Sequence, residues 1–246
     1  MTGKLRKPAD FLLLMLALVV IWQALHWVAG DIAITSPAAT LAKLGQMLHT
    51  PKFWSDIAET GRAFLFALLI SVFGGVALGA LLGINRLAAT VSEPILVAAY
   101  SLPKVTLYPL VLLIFGLGLP AKVAFGAMHG LIPVTIVTMN ALLNLKPVLL
   151  RTARVMRLSP LQSLTTLLLP AVLPEIFSGL RLGFSLSLVG VLIGEMFASQ
   201  RGLGFVIMNA MNLSDVATIM AVAVLLTGFA LLASGALGLI DRRIHR

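Results

Sequence analysis

The ionisable side chains Lys104, His129 and Glu195 lie within apolar stretches of this 246-residue chain. Ionisable groups are costly at membrane depth, so they usually mark a solute pathway or a compensating pair. Lys104 follows Pro103, which is expected to interrupt a helix and expose backbone groups to a cavity. A cation beside such a break would suit an anionic solute. In the alternative reading, Lys104 extends toward the interface or binds nearby carbonyl groups.

The expected depths of Lys104 and Glu195 argue against a pair between them. At about 1.5 Å per helical residue, Lys104 lies roughly 16 Å beyond an entry near Glu93. Glu195 lies roughly 30 Å beyond an entry near Glu175, close to the outer surface. We therefore expect Glu195 to be an outer-gate or structural residue. His129 is more often a packed polar residue than a proton carrier in this setting.

Several other chemistries are excluded by residue type and spacing. The absence of cysteine rules out disulfides, thiolate-ligated zinc and thiol catalysis. The four histidines, at positions 26, 49, 129 and 245, are scattered and form no H-E-x-x-H motif. No G-x-x-x-x-G-K-[ST] loop is present to cradle nucleotide phosphates. We therefore expect this chain to bind no cofactor and to perform no enzymatic step.

The composition is that of an all-α polytopic membrane protein. Hydrophobic residues make up 59% of the chain and charged residues only 11%, far from ordinary globular usage. Apolar stretches of sufficient length predict six spans within a single domain of residues 1–246. The predicted spans are 11–28, 63–82, 95–119, 123–143, 177–195 and 216–240. A cleaved signal peptide is the alternative reading of the first span.

The distribution of cations orients these spans. With both termini in the cytoplasm, most of the 18 lysine and arginine residues fall on inside segments, as the positive-inside tendency requires. Lys104 lies within a span. The cations left outside are Lys43, Lys52, Arg62, Lys122 and Arg201.

Residues 146–175, between the fourth and fifth spans, form the predicted inside loop. Ser159 and Pro160 are typical of a helix N-cap and first turn, and a basic helix precedes them in KPVLLRTARVMRL. Pro170 and Pro174 are predicted to break the following helix, which is then too short to span. The loop suits either docking to another protein or lying on anionic lipid.

Outside the membrane, two short helical elements are predicted. Ser36 and Pro37 begin the first, and RGLGFVIMNAMNLSD holds the second. Within the second span, Gly75, Gly79 and Gly83 form a small-xxx-small row. Such a row packs closely against another helix, either in the same chain or across a dimer.

The loop also resembles that of a known family, the permease subunits of ABC importers in the nitrate/sulfonate/taurine branch. The matching residues are Ala153, Leu158, Ser159, Gln162, Leu168, Leu169, Pro170, Ala171, Leu173, Pro174, Ile176, Gly179, Leu180 and Arg181. The segments GVALGALLG, SEPIL, LPKVTLYPLVLLIFGLGLPAKV, GEMF and GLGF extend the resemblance along most of the chain.

The resemblance implies a permease of the bacterial inner membrane that acts within a larger assembly. A cytoplasmic ATPase dimer would carry the ATP and magnesium, an extracytoplasmic binding protein would select a small solute such as nitrate, a sulfonate or taurine, and the second permease would be an identical copy or a paralogue. Membrane lipid surrounds the permease, and no nucleic acid is involved. The coupling residues implied are Arg151, Thr152, Ala153, Arg154, Arg157, Leu158, Ser159, Pro160, Leu161 and Gln162.

The loop departs from the family pattern at two cations. The family's E-A-A becomes Arg151-Thr152-Ala153, and its glycine becomes Arg157. Glycine permits a tight bend, so Arg157 predicts a different turn or a continuous helix. The changed charge indicates either a divergent coupling surface or a degraded loop.

Two other functions fit a polytopic protein of this size. A stand-alone secondary transporter or channel would be expected to show inverted repeats and several midplane charges, and the sequence contains neither. A membrane-embedded enzyme would need clustered His, Asp or Glu residues.

Overall fold

The computed structural model describes residues 7–244, without the side chains at positions 7–9, 11, 150, 160, 161, 164, 198 and 241–244. This part of the chain is helical and contains no strand. The helices are α1 (Lys7–Ala29), α2 (Pro37–Leu48), α3 (Pro51–Leu69), α4 (Gly75–Gly83), α5 (Arg86–Ser101), α6 (Tyr108–Phe115), α7 (Leu119–Leu143), α8 (Pro147–Val155), α9 (Pro160–Ser163), α10 (Leu169–Ala198), α11 (Leu203–Asn212) and α12 (Val216–Ile244).

Five apolar stretches of the described helices are long enough to cross a membrane, and one bent helix pair is a candidate sixth span. The five are Leu12–Ala29, Pro51–Gly83, Leu119–Leu143, Thr165–Phe197 and Val216–Ile240. The bent pair is Arg86–Ser101 with Lys104–Phe115, whose axes differ by 84°. A π turn at Ile70–Gly74 joins α3 to α4 without a break.

The centre of the bundle is the antiparallel pair α7 and α10. Gly194, near the end of α10, lies against Lys122, near the start of α7, and Gly183 lies against Val134. A Cβ at Gly183 would come within 2.6 Å of the Val134 side chain. The glycines therefore allow the two backbones to approach closely, as small residues do between membrane helices.

The glycine row of α4 packs against α7 of the same chain. A Cβ at each of the three positions would lie 2.6–2.9 Å from atoms of α7: Gly75 from Val134, Gly79 from Thr135 and Gly83 from Met139. Residues later in α4 contact residues later in α7, so the two helices run parallel.

This parallel packing requires the bent pair, α5 and α6, to run from one end of the bundle to the other. We call the end where α3 and α7 begin the Lys122 end, because Lys122 Nζ lies 3.0 Å from Glu59 of α3 there. We call the opposite end of the bundle the α8–α9 end. Since α4 finishes at the α8–α9 end and α7 begins at the Lys122 end, residues 84–118 must return the chain along the bundle. A re-entrant loop would not do this.

The end of α1 and the start of α12 lie at the same end of the bundle. The last turns of α1 reach the segment before α2, where Trp22 Nε1 donates to the Thr35 carbonyl at 2.9 Å. Lys43 of α2 lies 3.4 Å from Asp215, directly before α12, and α12 packs beside the start of α3 through Val222. Therefore α1 ends and α12 begins at the Lys122 end.

The prediction that Pro170 and Pro174 break the helix is wrong. A π turn at Leu164–Leu168 leads into α10, which continues for 30 residues and contains both prolines. Pro170 lies where the π turn passes into α10. Pro174 lies within the helix, and interior prolines are accommodated in packed membrane helices. The helix that contains the fifth predicted span therefore begins before residue 177.

Candidate functional sites

Lys104 lies at the break between α5 and α6. Leu102 and Pro103 are extended, with ψ of 133° and 91°, so the predicted interruption at Pro103 is confirmed. The Lys104 side chain is only 8% exposed. Its Nζ donates to the Tyr100 carbonyl at 3.0 Å and lies 5.1 Å from the centre of the Tyr100 ring. No carboxylate of a described side chain lies within 4.0 Å of Nζ.

An apolar cavity of about 820 Å³ adjoins Lys104 between α3, α5, α6 and α7. We call it the Lys104 cavity. Its walls are aliphatic and aromatic, and Lys104 alone is charged among the described residues that line it. The wall residues include Phe66, Leu107, Phe115, Met128 and Leu131.

His129 is a packed residue of α7. Its Nδ1 lies 2.7 Å from the Phe125 carbonyl one turn earlier, and its ring fills the space beside Gly190 of α10. It does not line the Lys104 cavity. Its geometry is that of a structural side chain whose local hydrogen bond fixes its orientation.

Glu195 belongs to a buried cluster at the Lys122 end. Its side chain has no exposed surface, and its oxygens accept hydrogen bonds from Thr60 Oγ1 at 2.8 and 2.9 Å and from the Gly204 N–H at 2.9 Å. Lys122 Nζ lies 3.7 Å from Glu195 and 3.0 Å from Glu59. As expected, Glu195 does not pair with Lys104.

Lys122, which the sequence places in an outside segment, is buried in the structure. Its side chain is 1% exposed, and its Nζ contacts Glu59, Glu195 and the Arg201 carbonyl. Two carboxylates and a carbonyl supply the partners that a buried ammonium requires. We call Asp56, Glu59, Thr60, Lys122 and Glu195 the Lys122 cluster.

The Lys122 cluster caps the N-terminus of α11. Three successive backbone N–H groups donate to its side chains: Gly202 to Asp56 at 2.9 Å, Leu203 to Thr60 at 2.8 Å and Gly204 to Glu195 at 2.9 Å. Gly202 has φ of +108°, and a Cβ there would lie 2.1 Å from a Glu195 oxygen. The cluster thus fixes α11 to α3, α7 and α10.

At the opposite end of the bundle, α8 finishes in a left-handed turn at Arg157, whose φ is +52°. Leu158 N–H donates to the Ala153 carbonyl at 3.0 Å, and Arg157 N–H donates to the Arg154 carbonyl at 3.1 Å. This is the Schellman pattern, which usually has glycine at the left-handed position. The prediction of a different turn or a continuous helix is therefore wrong, because the two hydrogen bonds retain the glycine-type bend with arginine in its place.

A capping box begins α9. Gln162 N–H donates to Ser159 Oγ at 3.2 Å, and Ser159 N–H donates to Gln162 Oε1 at 2.9 Å. The prediction that Ser159 is an N-cap is confirmed. The side chains of Pro160 and Leu161 lie outside the described part of the structure.

The turn between α8 and α9 is an exposed corner with apolar and cationic residues. Val155 is 83% exposed and Met156 is 62% exposed. Arg151, Arg154 and Arg157 are exposed around them, whereas Thr152 is half-buried and Ala153 is buried beneath the corner. We call residues 151–162 the coupling corner. Adjacent exposed apolar side chains of this kind are typical of a contact surface.

Comparison with known proteins identifies the family. Residues 75–246 match the family described as binding-protein-dependent transport system inner membrane component. The chain belongs to this family. The permease is also 30% identical over 207 residues to a probable ABC transporter permease protein of Haemophilus influenzae, across 84% of this chain and 83% of that protein.

A further relative and a solved structure agree with this assignment. The permease is 23% identical over 235 residues to the putative aliphatic sulfonates transport permease protein SsuC of Bacillus subtilis, across 95% of this chain and 85% of the relative. Its fold matches a chain of the inward-facing MetNI methionine ABC transporter, with a TM-score of 0.68 and 23% identity, across 80% of this chain and 99% of that chain. The predicted family and the all-α multi-pass inner-membrane fold are thereby confirmed, and the permease is a translocation subunit of an ABC importer.

Most of the Lys122 cluster was not predicted from the sequence. Asp56, Glu59 and Thr60 occupy one face of α3 at i, i+3 and i+4 spacing, and an uncharged helix follows them from Ala63. Polar residues on one face at the start of a span were the available signal. Their partners Lys122 and Glu195 are distant in sequence, so only the packing of α3, α7 and α10 reveals the cluster.

Proposed function

We propose that the permease forms a solute pathway together with a second permease copy, and that a separate cytoplasmic ATPase dimer drives it by binding the coupling corner. The observation that carries this proposal is the exposed Val155–Met156 pair at a turn fixed from both sides. The Schellman turn ends α8, and the capping box begins α9. A surface that is apolar and exposed but rigid is suited to transmit force from a partner.

The orientation in the membrane follows from charge. The coupling corner, with its three arginines, lies at the same end of the bundle as Arg86 and Lys146. Cytoplasmic segments carry an excess of Lys and Arg. The α8–α9 end is thus cytoplasmic, and the Lys122 end faces outward, toward a solute-binding protein.

The candidate pathway residues then divide into two groups. Lys104 lines a cavity and, with the preceding Pro103, belongs to the pathway. Glu195 stabilises the outward-facing α11, and His129 of α7 packs against α10. ATP and magnesium belong to the ATPase, because the chain has no phosphate-binding loop.

The test is co-purification of the ATPase with tagged permease carrying Val155→Asp and Met156→Asp. We expect the ATPase to be lost, because two buried, unpaired carboxylates would oppose docking. The matched control is Leu213→Asp, which alters a side chain that is 70% exposed at the Lys122 end. Unchanged ATPase recovery with the double variant would overturn the proposal.

A further inference from the structure

Lys104 has fewer partners than a buried ammonium requires. The group offers three donors; one donates to the Tyr100 carbonyl at 3.0 Å, and the centre of the Tyr100 ring lies 5.1 Å from Nζ. The side chain is 8% exposed, and no described carboxylate lies within 4.0 Å. Buried charges are normally paired and hydrogen-bonded, because desolvation is costly. The two remaining donors are therefore available to an anionic group.

The walls beside Lys104 select for a particular kind of anion. The Lys104 cavity has a volume of about 820 Å³, within the range of small-molecule sites. Its other lining residues carry no charge, and its surface is predominantly apolar. A small inorganic anion would lose its hydration there and leave the walls uncovered. An anion with an apolar body would cover the walls and place its charged group against Lys104.

We propose that the Lys104 cavity binds the transported solute and selects a small organic anion with an apolar body. This inference rests on the proposed function and deepens it, because it gives the membrane domain a part in solute selection. The anionic group accepts hydrogen bonds from Lys104 Nζ. The apolar body lies against the side chains of α3, α6 and α7, including Phe66, Phe115 and Met128.

The test uses hexanesulfonate as the probe. The complete transporter assembly is placed in nanodiscs of neutral phosphatidylcholine, and binding is measured by calorimetric titration. We expect saturable binding that strengthens about three- to fourfold for each methylene added between ethanesulfonate and hexanesulfonate. Sodium nitrate at the same concentrations is expected neither to bind nor to compete.

Variants locate the site. Lys104→Met is expected to weaken hexanesulfonate binding by about tenfold or more, because it removes the charge-assisted hydrogen bonds. Lys104→Arg retains the charge and is expected to stay within about threefold of the unmodified assembly. The matched control is Lys52→Met, which removes an exposed lysine of α3 and is expected to leave binding unchanged.

Several outcomes would overturn the inference. Wild-type affinity in Lys104→Met would do so, as would equal competition by nitrate or an absence of chain-length dependence in the unmodified assembly. Displacement of hexanesulfonate by phosphatidylglycerol in the nanodisc would identify the cavity as a lipid site instead. ATPase recovery with tagged permease is measured on the same preparations. If solute selection fails while the ATPase is still recovered, only this inference is overturned. If the ATPase is not recovered with the unmodified permease, the proposed function itself fails.

Discussion

The two buried lysines of this permease differ in what surrounds them. Lys122, which is 1% exposed, contacts two carboxylates and a backbone carbonyl. Lys104, which is 8% exposed, has one carbonyl and one aromatic ring. Lys122 joins three helices, whereas Lys104 faces a cavity of about 820 Å³.

The partners of the two lysines indicate how a buried charge at membrane depth can be interpreted. A buried ion whose partners come from the same chain stabilises that chain's structure, and its removal leaves those partners unpaired. A buried ion without a counter-charge is a candidate for binding a mobile one. Substitutions at the two lysines should therefore have opposite consequences for stability and for binding.

The largest expected effect on stability is that of Lys122→Met. It leaves Glu59 and Glu195 without their cation and should reduce the free energy of unfolding by about 3–5 kcal/mol. Lys104→Met removes no ion pair and should change the free energy of unfolding by less than about 1 kcal/mol. Denaturant titration of the purified permease in detergent measures both. Equal losses in the two variants would contradict the contrast.

Gly202→Ala should have the next largest effect, because it acts on the Lys122 cluster through the backbone. The position has φ of +108°, and the new Cβ would lie 2.1 Å from a Glu195 oxygen. We expect a loss of about 1–3 kcal/mol in the same titration. The control is Gly228→Ala, where nothing lies within 4 Å of an added Cβ, and it should be neutral or slightly stabilising. A neutral Gly202→Ala would show that the cap on α11 contributes nothing.

Substitutions at Arg157 separate a backbone effect from a charge effect. Arg157→Gly should relieve a left-handed conformation that costs roughly 1 kcal/mol or more, offset in part by the greater flexibility of glycine in the unfolded chain. Arg157→Glu keeps a side chain at that conformation and reverses its charge at the coupling corner. We expect it to uncouple ATP hydrolysis from uptake in proteoliposomes. Coupled transport at the normal ratio in Arg157→Glu would remove this residue from the interface.

The smallest effect concerns Asp215, a half-buried counterpart to the buried pairs. Its hydrogen bond from Thr218 Oγ1, at 2.6 Å, lowers the pKa of the carboxyl below the ordinary 3.8, and Lys43 at 3.4 Å lowers it further. A depressed folded-state pKa gives stability that is present above the unfolded pKa and lost as pH falls through the folded one. The melting temperature of the unmodified permease should therefore fall slightly more between pH 5 and pH 3 than that of Asp215→Asn. The difference should be no more than about a degree or two. Identical profiles would exclude the contribution.

The sequence predicts the fold more fully than it predicts the sites. Apolar stretches and proline positions are local features, so the helices and the break at Pro103 could be predicted. The burial of Lys122 could not be predicted, because it depends on Glu59 and Glu195, which packing alone brings near. The continuation of α10 through Pro174 also depends on tertiary support. At Arg157, hydrogen bonds override a conformational preference that the sequence alone would suggest.

The most direct test of the central claim is the melting temperature of the complete assembly, with and without saturating hexanesulfonate, for Lys104→Met and Lys122→Met. We expect the Lys104→Met assembly to melt at the same temperature as the unmodified assembly, but without the rise in melting temperature that hexanesulfonate causes. Lys122→Met should melt at a lower temperature and keep that rise. If hexanesulfonate raises the melting temperature of Lys104→Met as much as that of the unmodified assembly, Lys104 does not bind the solute.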